Sequence, residues 1–297
     1  MRWRPWRSGA STEVAHREVS PDSPEWPVGL EKLEEPPTIF VDGTLSEAPG
    51  IAVVGSRQAT RYGIDLAESY GAALARVGWT VVSGLARGID AAAHRGCLRS
   101  GGHAVAVLGC GIDVCYPREN RGLFDQIRES GGAIISEYKA GAPPERWRFP
   151  ARNRIIAAIS VAVVVVESAR RGGALITARL GGEMGRELFA VPGDVGRPAS
   201  EGCNLLIRDG AAMVLGPADL IEAISITGVG PPPGRAGAPP PGDEASLGSP
   251  VPAGGMSLDE LPEAWSVTMS EALVRVGKLE IEGSIRRDGD RILPLRR

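Results

Sequence analysis

Lysine is nearly missing from this 297-residue chain, which carries only Lys32, Lys139 and Lys278. Its basic groups are almost all arginine, whose planar fork suits bidentate phosphate contacts and stacking on bases. Cysteine is scarce as well. Cys97, Cys110, Cys115 and Cys203 form no C-x-x-C and stand at no metal-ligand spacing from a histidine, which excludes a zinc-ribbon type of site and leaves plain thiols of a reducing compartment. No apolar run reaches the roughly 20 residues that a bilayer-spanning helix needs. The longest, Ile155 to Val166, is well short, and MRWRPWRSG at the start lacks the apolar core of a signal peptide. The expectation is a cytoplasmic protein with no membrane partner. Two nucleotide signatures are missing: there is no G-x-G-x-x-G and no G-x-x-x-x-G-K-[ST], so NAD binding and a P-loop ATPase are disfavoured and no cofactor is expected.

What is present is a local concentration of charge. The formal net charge is −3, yet the stretch from Arg146 to Arg186 holds eight arginines against two glutamates. A nucleic-acid site, if there is one, must be such a patch. Val161 to Val166 inside it is short, continuous and β-branched, the pattern of a parallel strand buried on both faces. Arg152, Asn153 and Arg154 follow Phe149 and a proline upstream of that strand. Arg170, Arg171, Gly172 and Gly173 open a helix downstream, with Thr177 in its first turns. Helix N-termini at the carboxyl ends of parallel strands bind anions, so a phosphate-bearing ligand is the first expectation.

Residues 1–25 are polar and without periodicity, a flexible leader. A lead-in from 26 to 50 follows, with a short helical turn and an edge strand through Val41. Ile51 to Val54 then runs into GSRQATRYG and a helix from Tyr62 to Val77, where Gly55, Ser56 and Arg57 make a compact anion cradle. Strands at Trp79 to Val82, His103 to Leu108 and Ala133 to Ser136, alternating with helices from Ile89 and over Arg118 to Glu129, predict an α/β doubly wound parallel sheet. Asp90 and His94 share a helix face. A Ser83, Asp90, His94 triad lacks the G-x-S-x-G elbow, and a structural pair is preferred. A further strand at Leu188 to Val191 and a helix, short strand and helix through Ile224 complete residues 26–227. Residues 228–255 are Pro-, Gly- and Ala-rich, a linker that cannot bury a core, and 256–297 give two helices and two short strands, a small winged-helix outline.

GSRQATRYG, SGLARGIDAAAH, AVLGCGIDVCYP, FPARNRII, GGALITARLGGEMGRELFAVPG and GCNLLIRDGA, in this order, resemble the DprA/Smf family of DNA-processing proteins from about Pro24 to Ile224. The resemblance implies an extended Rossmann-like fold, a homodimer, single-stranded DNA as ligand, and protection of incoming DNA and its delivery to the RecA recombinase during natural transformation, without catalysis by the protein itself. It also implies a C-terminal winged-helix module. By carry-over the DNA pocket takes in Gly55, Ser56 and Arg57 on a first loop and Phe149, Arg152, Asn153 and Arg154 on a central one, beside Gly172, Gly173 and Thr177. The family's usual N-terminal helical domain has no counterpart here. Its Ser-Gly-Ser-like loop is replaced by Gly172, Gly173 and Ala174, which should weaken phosphate contacts without moving the backbone. Nucleotide N-glycosidases of the lysine-decarboxylase-like group are the alternative. Their P-G-G-x-G-T-x-x-E loop is not kept: Arg171 replaces the proline, Leu175 and Ile176 precede Thr177, and Leu180 stands in place of the catalytic glutamate, so general acid/base chemistry has no obvious agent.

Overall fold

A computed structural model of the chain describes residues 16–46, 50–226, 256–265, 269, 272–273, 276–277, 280, 285–289 and 291–294. The expected linker, and the leader up to residue 15, lie outside the described residues. The chain divides into two compact units, Met1–Pro240 and Pro241–Arg297.

The elements of the first unit are β1 (Arg17–Val19), β2 (Ile39–Gly43), β3 (Gly50–Val54), α1 (Arg61–Arg76), β4 (Val81–Ser83), α2 (Ile89–Arg99), β5 (Ala104–Gly111), α3 (Arg121–Glu129), β6 (Ala133–Tyr138), α4 (Arg148–Ala158), β7 (Ser160–Val165), α5 (Gly173–Glu183), β8 (Glu187–Ala190), α6 (Glu201–Arg208), β9 (Ala212–Met213) and α7 (Pro217–Ile226). The strands make one sheet in the order β1-β2-β6-β5-β4-β3-β7-β8-β9. β3 to β9 pair in parallel with their neighbours, while β1 and β2 extend the sheet antiparallel beyond β6. The α/β doubly wound sheet predicted from the sequence is therefore what forms.

Period-two alternation divides the strand residues between two cores. Ile51, Val53, Ala162 and Val164 face α1, α2, α3 and α7. Ala52, Val54, Val163 and Val165 face α4, α5 and α6. Both faces are covered, which is why these strands read as unbroken apolar runs. From β3 the chain winds outward to β6, then crosses back through α4 to lay β7 against the free side of β3. The order reverses there, and the loops after β3 and β7 diverge to leave a crevice.

Two boundaries differ from the sequence reading. Arg17–Val19, placed in the leader, pair with β2, and the Arg17 guanidinium donates to both Glu25 carboxylate oxygens at 2.7 Å. The stretch carrying Phe149 to Arg154, expected as a loop, is the first half of α4. Pro150 is accommodated because it lies in the first turn, where its missing N–H would have had no intrahelical partner.

In the second unit β10 (Met256–Ser257), β11 (Ile285–Asp288) and β12 (Arg291–Pro294) form an antiparallel sheet in the order β10-β12-β11. A helix, α8 (Leu261–Trp265), follows a turn whose Ser257 and Glu260 make a reciprocal capping box. Leu261, Ala272, Val276, Ile285 and Ile292 are its buried core.

Candidate functional site

An open cleft of about 640 Å³ occupies the crevice at the β3/β7 reversal. Nine of the ten residues expected in the site line it: Gly55, Ser56 and Arg57 after β3, Phe149, Arg152 and Asn153 on α4, and Gly172, Gly173 and Thr177 at the start of α5. Arg154 does not. Its guanidinium is paired with Glu137 at the end of β6.

Glu167 has another task. Its carboxylate accepts from the Thr60 amide at 2.8 Å and the Thr60 hydroxyl at 2.5 Å, and Thr60 in turn caps α1 by accepting from Gly63 N at 3.1 Å. The Glu167 carbonyl accepts from Ser56 N at 2.7 Å. The end of β7 is thereby bonded to the loop after β3. These close approaches require glycine: a Cβ on Gly63 would lie 2.5 Å from the Glu167 carboxylate, and one on Gly55 2.9 Å from its carbonyl.

Arg152, expected in the DNA pocket, lines the cleft but is buried. Only 4% of it is exposed. Its guanidinium donates to Gly84 O at 2.6 Å, to Val107 O and to Asn153 Oδ1 at 3.0 Å, and one nitrogen lies 3.8 Å from the Asp90 carboxylate. Asp90 also accepts from Gly84 N at 3.1 Å. Arg152 is thus the internal brace of α4 against β4, β5 and α2, presenting little more than an edge to the cleft floor. Burial raises the Asp90 carboxyl, against the pull of Arg152, and burial lowers Arg152, against the pull of Asp90. The guanidinium keeps its charge, since arginine does not deprotonate in proteins.

The imagined triad is not assembled. Ser83 Oγ donates to Val53 O at 2.7 Å, and neither ring nitrogen of the buried His94 makes a hydrogen bond of normal geometry. Burial, and then the charge of Arg152, push the His94 pKa down to about 3. Asp90, held by these contacts, is the one carboxylate among the described residues lining the cleft.

The accessible chemistry is on the rim. Arg57 is exposed and its guanidinium carbon stands 5.2 Å from the centre of the Phe149 ring, a cation–π distance. Arg57, Arg146, Arg170 and Arg171 are exposed and form no ion pair among the described residues. Gly172, with extended dihedrals, precedes α5 without a side-chain cap, so the first amides of that helix are open to an anion. Asn153 Nδ2 contacts Gly173 O at 3.4 Å and holds this end near α4. Thr177 is buried, with 2% exposed. Sequence reasoning missed Gln58, Tyr116, Arg146 and Ser168, which also line the cleft. Arg146 opens the arginine-rich stretch, Gln58 follows Arg57 within GSRQATRYG and Tyr116 stands in AVLGCGIDVCYP, so these three had a local signal; Ser168 had none.

A doubly wound parallel sheet with an arginine-rimmed cleft at its reversal point defines a Rossmann-like protein. The chain belongs to the family described as DNA recombination-mediator protein A, which it matches over residues 17–225. It is 42% identical over 213 residues to Protein Smf of Synechocystis sp., covering 69% of this chain and 53% of that one. It is 40% identical over 199 residues to DNA processing protein DprA of Streptococcus pneumoniae, covering 66% and 70%. The chain thus spans about half the length of the Synechocystis relative. The solved structure of Streptococcus pneumoniae DNA processing protein A superimposes with a TM-score of 0.66 at 38% identity, over 70% of this chain and 74% of that one. That of Helicobacter pylori DNA processing protein A, described for its single-stranded DNA binding mode, gives 0.64 at 25% identity over 72% and 98%. Among the described residues no helix is long and apolar enough to cross a membrane.

Proposed function

We propose that this chain binds single-stranded DNA in the cleft and acts as a recombination mediator, a dimer in the cytoplasm that protects incoming DNA and loads the RecA recombinase during natural transformation. The observation that carries the reading is Arg57, free of any ion pair among the described residues and laid against Phe149 on the rim of a cleft that the open end of α5 also borders. Arginines neutralise phosphates irrespective of sequence, and aromatic faces accept any base, which is what a mediator needs. The relative from Helicobacter pylori, described for this binding mode, supports the ligand class. Residues 256–297 are assigned as a winged-helix-like module after the linker, on the antiparallel sheet and helix of its described parts.

The N-glycosidase alternative is not favoured, because Asp90 is buried against Arg152 and no other carboxylate among the described residues lines the cleft. The test is a gel-shift with a single-stranded oligonucleotide beside a nucleoside-monophosphate hydrolysis assay. RecA strand exchange on DNA pre-coated with single-strand-binding protein then tests mediation. Binding without hydrolysis, and relief of the block, are expected. Binding without relief would replace mediation by storage of the strand.

A further inference from the structure

Tyr116, on the loop after β5, lines both the cleft and a smaller pocket that continues from it past Arg57, Gly84 and Arg87. Its ring is left in solvent, with 44% of the residue exposed, although the loop that bears it is well tied. Gly111 N donates to Ala142 O at 2.8 Å, and Asn120 Nδ2, just beyond Tyr116, donates to Leu85 O at 2.9 Å. Exposure of this ring is therefore built into the loop.

The Tyr116 and Phe149 rings are 5.2 Å apart, centre to centre, at an interplanar angle of 38°. Rings so splayed cannot both lie flat against one base, whereas two successive bases can each take one. Phe149 is half-buried and carries Arg57, so Tyr116 is the more open of the two faces.

We infer that Tyr116 is a second base-stacking platform, which receives the nucleotide next to the one on Phe149 and sets the path of the strand from the α5 end of the cleft to the loop after β5. This rests on the reading of the cleft as a single-strand site and adds to it a register of two adjacent stacked bases. Tyr116 brings no charge, so its contribution must be independent of salt, unlike that of the arginines.

The experiment is oligothymidylate binding by the full chain, by fluorescence anisotropy across a salt series, with Tyr116→Ala, Tyr116→Leu and Tyr116→Phe. Loss of a stacked base should weaken binding by roughly 5- to 150-fold in Tyr116→Ala with the salt slope unchanged, Tyr116→Leu should fall well below the parent while keeping the apolar bulk beside Phe149, and Tyr116→Phe should match the parent. Parent-like affinity in both Tyr116→Ala and Tyr116→Leu, or a Tyr116→Phe as weak as Tyr116→Ala, overturns the second platform and leaves the cleft assignment standing. A parent that does not bind oligothymidylate at all overturns the cleft assignment and this inference with it.

Discussion

Replacing Arg152 by alanine separates a brace from a ligand contact. In the native fold its guanidinium satisfies Gly84 O and Val107 O, fixes Asn153, and stands 3.8 Å from the buried Asp90. Arg152→Ala leaves that carboxylate without its nearest countercharge and two carbonyls without a donor. Breaking one partner out of a buried pair costs about 3 to 5 kcal/mol. At about 2 to 4 °C per kcal/mol for a domain of this size, the thermal midpoint should fall by roughly 6 to 20 °C. Asp90→Asn added to Arg152→Ala should return part of the loss, because the orphaned charge is then gone. Calorimetry or circular dichroism on the parent and the two variants gives the comparison. An Arg152→Ala protein with an unchanged midpoint, but a DNA-binding salt slope lowered by about 0.7 per lost phosphate contact on a single strand, would refute the brace and restore Arg152 as a DNA contact.

Arg57→Ala should lower that slope by about 0.7 while leaving the unfolding midpoint near the parent's, since its side chain is exposed and makes no ion pair among the described residues; an unchanged slope removes it from the site. Phe149→Leu keeps bulk but loses the ring, and oligonucleotide affinity should drop by the stacking contribution of about 1 to 3 kcal/mol per base; parent-like affinity makes Phe149 packing alone. Folding stability should decline on acidification from about pH 6.5 toward 3, because unfolded His94 takes a proton that the buried ring, with its pKa pushed down to about 3, refuses. The limiting slope is about 1.4 kcal/mol per pH unit, and urea midpoints of the parent and His94→Leu between pH 7 and 5 should diverge in slope; parallel curves would show that His94 is not the titrating group.

The parallel sheet was legible because its strands are buried on both faces, so Ile51 to Val54 and Val161 to Val166 stand out as apolar blocks between glycine-rich turns. The cleft was legible for a related reason: glycine and arginine gather where β3 and β7 end. What the sequence hid was direction. An arginine in a basic run looks the same whether it faces solvent or carbonyls, and only the helical start of α4 turns Arg152 inward while Arg154 meets Glu137. The stretch from Phe149 to Arg154 was expected as a loop, and Pro150 does not contradict the helix, since a proline is tolerated in a first turn. Tyr116 stands in a motif that the sequence singled out, but its exposure is a property of loop anchorage through Asn120, which that motif does not encode.

The bonds of Glu167 have a mechanical consequence. They join the end of β7 to the amide of Ser56 and to Thr60, across the base of the crevice from which both lips of the cleft arise. Prying the lips apart at that base would strip a buried carboxylate of its donors, a heavy penalty in a dry site. The cleft therefore cannot work as a jaw. It is a slot braced at its base, in which adjustment falls to side chains on the rim, and on the proposed reading a flexible strand would bring most of the disorder to be lost on binding.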